Sequence, residues 1–115
     1  MPLKDLLFAA ARKPTIEAID TSAWLPDQKV FVRVMSGADA DRYNTAVSKA
    51  TEDKNYLKME ATLVALSLCD GDGNPLCTLD DVPQIMDWPS KRIDEIFRVA
   101  SKVNRIADQE SIEGN

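Results

Sequence analysis

The sequence predicts an α+β domain, mainly helical, with four to five helices and a small antiparallel β-hairpin or sheet near the N-terminus. Three observations carry this. Two short segments rich in β-branched residues, 15–20 and 28–35, lie close together in the first third of the chain. The remainder carries apolar residues at helical spacing. Turns dense in Asp, Gly, Asn and Pro cut that helical pattern into separate pieces. With 115 residues the chain has the length of one domain. The patterned part runs over residues 1–107, and residues 108–115 read as a polar tail.

The elements follow in order. Residues 3–12 form a first helix, with Leu3, Leu6, Leu7, Ala10 and Ala11 on one face, ended by Pro14. Leu6, Leu7 and Phe8 are apolar on adjacent faces, so part of this helix is expected to stay exposed. In residues 28–35, Val30, Val32 and Val34 alternate with Phe31 and Arg33, as a half-buried strand requires. The loop of residues 21–27 joins this strand to the one before it. Ser36 is expected to cap the next helix with its hydroxyl, with Asp39 reaching back to complete a capping box. That helix runs to about Ala50. After a polar break, residues 56–68 form a helix apolar on most faces, which marks it as the central one. Thr78 is placed to cap a short helix with Asp80 and Asp81 in its first turn. Ser90 is placed to cap the last, whose stripe is Ile93, Ile96, Phe97, Ala100, Val103 and Ala107.

Composition excludes several functions. The net charge is −5, with 14 basic residues outnumbered by 19 acidic ones. No basic stripe emerges, so neither nucleic acid nor an anionic membrane surface is an expected partner. No apolar run reaches the ~20 residues that span a bilayer. Histidine is absent, which removes the commonest general base and zinc ligand. Cys69 and Cys77 alone cannot build a structural zinc site, and a disulfide between them is not expected in a reducing compartment. No nucleophile–base pair and no glycine-rich phosphate loop can be assembled, so neither an enzyme nor a bound cofactor is expected.

One constellation resembles metal chemistry. Asp70, Asp72 and Asn74 fall at positions one, three and five of a calcium loop, and Asp81 at position twelve, with helices predicted on both sides. A calcium-binding helix–loop–helix module is therefore the alternative reading. Position six, however, requires a positive φ that glycine supplies, and Pro75 occupies it. The loop is therefore read as a solvated interhelical turn. Glu17, Asp20 and Asp27 read as solvated charges rather than an acid–base pair. Arg98, Lys102 and Arg105 recur on the last helix, either as a site for an acidic partner or as cations suited to a helix C-terminus. Trp24 and Trp88, each close to a proline, are core plugs or interface anchors.

The order of these signals resembles a known family. The strand Val30-Phe31-Val32-Arg33-Val34-Met35 runs into Ser36-Gly37-Ala38-Asp39-Ala40-Asp41-Arg42. Leu63-Val64-Ala65-Leu66-Ser67-Leu68-Cys69 leads into Asp70-Gly71-Asp72-Gly73-Asn74-Pro75-Leu76. Leu79-Asp80-Asp81-Val82 then precedes a helix with Ile96-Phe97 and Val103-Asn104. Over residues 29–107 this resembles the tail assembly chaperones of long-tailed bacteriophages. The resemblance implies a non-catalytic protein of the host cytoplasm that binds the tape measure protein, keeps it soluble, helps recruit tail tube subunits and is absent from the virion. It also implies possible self-association, and often a longer frameshifted product. The residues expected to meet a partner are Leu6, Leu7, Phe8 and Trp24, together with Arg98, Lys102 and Arg105.

Overall fold

The first nine-residue helix, α1 (Leu3–Ala11), starts from an extended Pro2 and stops short of Pro14. It buries none of its residues. The computed structural model describes residues 2–106; Ala107 and the polar tail read at 108–115 lie outside these. Beyond Pro14, β1 (Ile16–Ile19) pairs antiparallel with β2 (Val30–Arg33), Ile16 opposite Arg33 and Ile19 opposite Val30. The loop between them is ordered by side chains. The Asp20 carboxylate accepts from the Ser22 N–H (3.1 Å) and hydroxyl (2.6 Å). The buried Thr21 accepts from Trp24 and Leu25 through its carbonyl.

Helix α2 (Gly37–Glu52) is capped by Ser36, whose hydroxyl accepts from the Asp39 N–H at 3.1 Å. The second half of the expected capping box does not form. The Asp39 carboxylate turns instead to the guanidinium of Arg33 at 2.6 Å and of Arg42 at 3.0 Å. A nearly buried carboxylate gains more from two cations than from one neutral N–H. At its other end α2 closes with Lys54 in the left-handed region, φ 55°. The Lys54 N–H donates to Thr51 and the Asn55 N–H to Ala50, a Schellman arrangement made without glycine.

Helix α3 (Tyr56–Ser67) is the centre of the molecule. Every residue from 61 to 69 is buried. The predicted helix extended through Leu68, but Leu68–Cys69 forms strand β3, with Cys69 opposite Phe31 and Leu68 opposite Val32. Two apolar residues fit a helical or a strand pattern equally well. Here the open edge of β2 supplies the backbone partners that decide between them. The sheet order is β1-β2-β3.

The turn predicted between two helices is a hairpin tip. The Asp70 N–H donates to the Asn74 carbonyl and the Leu76 N–H to that of Leu68, both at 3.0 Å, with Pro75 bridged to Cys69. Thr78 then caps a 3-10 turn, Leu79–Asp81, with Asp81 reciprocating at 2.8 Å. Helix α4 (Val82–Met86) follows, and Pro89, not Ser90, is the N-cap of α5 (Ser90–Val103). The Pro89 carbonyl accepts the first helical bonds, so Ser90 already lies inside the helix and makes no side-chain cap.

Helices α2, α4 and α5 all pack on α3, while α5 also covers β1 and β2. Leu63, Val64, Ile85, Ile93, Ile96 and Val32 are the largest of the fully enclosed apolar side chains. Polar bonds join the last helix to the sheet. The Asn104 amide accepts from the Met35 N–H at 2.7 Å and donates to the Arg33 carbonyl at 3.1 Å. It thereby extends the β2 ladder as a strand backbone would. Leu66, 5% exposed in α3, offers a test of the core. Leu66→Ala should lower the free energy of unfolding by about 2–5 kcal/mol in chemical denaturation. A loss below about 1 kcal/mol would show that α3 does not organise the domain.

Candidate functional site

The residues expected to meet a partner fall into three separate places. Leu3, Leu6, Leu7 and Phe8 are 79%, 51%, 59% and 54% exposed on α1. Isolated exposed leucines are ordinary, but four large apolar side chains on one nine-residue helix make a continuous apolar surface. The Lys4 ammonium lies over the Phe8 ring, 5.6 Å from its centroid, a cation–π pair on the same helix.

Trp24 stands elsewhere. Helix α1 joins the start of β1, whereas Trp24 follows its end and faces α5. Its ring lies 4.7 Å from the Arg92 guanidinium, a cation–π pair. Together with Ile19, Pro89, Glu95 and Val99 it lines a recess of about 440 Å³. Arg92 and Val99 could not be anticipated as its neighbours, because the pairing joins a loop to a helix some seventy positions away.

Of the three cations, Arg98 is engaged by Asp94 one turn earlier, at 2.9 Å. Lys102 is exposed in the last turn of α5. Arg105, also exposed, takes φ 54° and ends the helix, its N–H donating to Lys102 and that of Ile106 to Ser101. Its position is thus set by a Schellman closure in the absence of glycine.

A second recess, about 310 Å³, lies where Arg33, Asp39 and Arg42 meet Leu66, Cys77 and Leu79. Cys69 and Cys77 are both free thiols. Burial pushes both thiols up from their usual range, which leaves them poor nucleophiles. The acidic loop is organised around Asp70. Its carboxylate accepts from the N–H groups of Asp72 (2.9 Å) and Asn74 (3.0 Å) and from the Asn74 amide (3.3 Å). The bonds from Asn74 and then Asp72 hold this carboxyl below its usual range. Asp81, at the twelfth calcium-loop position, is occupied with Thr78. Among the described residues no cluster of three or more His, Cys, Asp or Glu is arranged to hold a metal ion. No described helix is long and apolar enough to cross a membrane.

No protein-family model matches the chain, and no curated protein matches it in sequence. A solved structure does match it. The bacteriophage HK97 tail assembly chaperone superposes with a TM-score of 0.64, covering 87% of this chain and 97% of that one. The fold is shared. Sequence identity between the two is 21%. The similarity is therefore one of architecture.

Two measurements follow from the site's electrostatics. With the Asp70 carboxylate satisfied by its own loop and Asp81 used as a cap, millimolar calcium or magnesium should leave the melting temperature unchanged; a rise of several degrees would restore the calcium reading. Glu60 on α3 has its carboxyl raised by burial first and by the Asp94 charge on α5 second. A carboxyl raised on folding favours the fold below its unfolded value of about 4.3 and loses that contribution as pH rises through the folded value. Ionised Glu60 therefore works against the fold at pH 7. Glu60→Gln should raise the melting temperature at pH 7, with the gain vanishing near pH 4, as thermal melts at the two pH values would show.

Proposed function

We propose that this protein is a non-catalytic phage tail assembly chaperone that binds the tape measure protein, keeps it soluble and helps recruit tail tube subunits. The observation that carries the proposal is α1. It is a helix of exposed apolar side chains attached to a domain whose core is complete without it. An apolar face of this kind contributes nothing to its own fold, and covering it in a complex removes it from water. The shared fold with the HK97 chaperone supports the same reading.

The chemistry fits a partner that presents apolar helix. Contact between two apolar helical faces rests on side chains spaced one turn apart, as Leu3 and Leu7 are, with charges at the rim. The net charge of −5 keeps the chaperone soluble while this face is presented. Recruitment of tube subunits would use another surface, for which the Trp24 recess and the cations Arg98, Lys102 and Arg105 are the candidates. The work would be done in the host cytoplasm, and the protein would be absent from the finished virion.

Co-expression with the tape measure protein tests this. Wild-type chain should hold that partner in the soluble fraction, with an affinity that falls only modestly as salt rises, because rim charges act mainly on association rate. Phe8→Asp and Leu7→Asp should fold normally, since neither side chain is buried, and should lose the partner. A wild-type chain that neither binds nor solubilises it would overturn the proposal.

A further inference from the structure

The motif that looked like a calcium loop has another use in the structure. Its tip reaches across to the joint between α1 and β1. Gly73 has φ 82°, and a Cβ built on it would lie 2.5 Å from Pro14 Cβ and 2.6 Å from Pro14 Cγ. The backbone of the tip therefore lies directly against the Pro14 ring, an approach open only to glycine. Ile16 Cγ2 is the next atom, at 3.7 Å.

Both sides of this contact are stiff. On one side, Asp70 gathers the Asp72 and Asn74 amides onto its carboxylate, and its carbonyl accepts the Gly73 N–H at 3.0 Å. On the other, proline fixes its own φ, and the Thr15 carbonyl accepts from the Val34 N–H at 2.9 Å. The linker is thus pinned at consecutive residues, Pro14 by the tip and Thr15 by the end of β2. Since α1 buries no residue of its own, this joint carries what the body can impose on its direction. The recess of about 590 Å³ between linker, β2 end and tip is lined by Arg12, Arg33, Met35 and Asp72, among others.

We propose that the hairpin tip of residues 70–75 is a seat that fixes the direction in which α1 leaves the domain. Gly73 and Pro14 are its positioning residues and Asp70 its organiser. The functional consequence rests on the reading of α1 as the partner-binding helix. A helix held in one direction surrenders less freedom on binding than one that swings, so the seat preorganises the contact.

Residual dipolar couplings of the intact protein in solution test the seat without any partner. In the wild type, the α1 amides should fit the same alignment tensor as the body. Gly73→Ala places a methyl inside the Pro14 ring and strains φ; the α1 couplings should shrink toward zero while those of α3 and α5 stay in place. Pro14→Gly, which removes the ring and leaves the tip sequence intact, should release α1 in the same way. Gly37→Ala, whose new methyl meets nothing within 4 Å, should change neither set. The seat is refuted if wild-type α1 averages independently of the body, or if either Gly73→Ala or Pro14→Gly leaves α1 in its original orientation. Because no partner enters this measurement, its failure would leave the co-expression result standing, and the converse holds as well.

Discussion

The burial of residues 61–69 on every side is the constraint from which the rest of the architecture follows. An amphipathic helix needs a neighbour on one face only. From Ala61 onward α3 has no face left to water, so each side of that stretch must be covered by something. Helices α2, α4 and α5 take its flanks. The sheet receives its C-terminal continuation, Leu68 and Cys69, which move from helix to strand without leaving the interior. The order of elements in the chain is then nearly dictated. Whatever precedes and follows the central helix has to fold back across it, and the connections between them are correspondingly short.

Around this apolar centre the polar links converge on the end of β2. The Arg33 side chain meets Asp39 at the start of α2, and the Arg33 carbonyl meets the Asn104 amide at the end of α5. Two residues on, the Met35 N–H is taken by the same amide. The Arg33 carbonyl and the Met35 N–H, which would otherwise lack protein partners, are thereby satisfied, while Arg33 Nε stays buried without one. The same few residues join strand, second helix and last helix. Thr15 adds the joint of α1 to this region through Val34. The end of β2 is therefore the place where the peripheral elements are registered against one another, whereas the apolar core only holds them together.

Much of this was legible in the residues, and the parts that were not share a cause. Long helices announce themselves by period, and α2, α3 and α5 begin and end within a few residues of where the apolar spacing places them. Short elements carry too few residues for a period to register. Leu68–Cys69 is two residues long, and only the neighbouring edge of β2 makes it a strand. The capping box at Ser36 was half correct because a sequence window shows Asp39 but not the two guanidiniums that compete for it. Lys54 and Arg105 take left-handed conformations where no glycine marks the spot. At the candidate surface, the exposure of Leu6, Leu7 and Phe8 could be anticipated from apolar residues on adjacent faces. The contact of Gly73 with Pro14 could not, since it joins a turn and a linker nearly sixty positions apart.

The link between Asn104 and β2 also sets a timetable. Strand β2 is among the first parts of the chain to be made, yet the Arg33 carbonyl and Met35 N–H find their partner in nearly the last described residue. While the chain is being synthesised, those groups have only water, and the flank that α5 covers stands open. The domain therefore cannot close progressively from its N-terminus. It must wait for its final helix and then close as one cooperative unit, as small single domains generally do. A chain cut short before that helix would be an open sheet beside an uncovered apolar helix, a form suited to aggregation rather than to partial service.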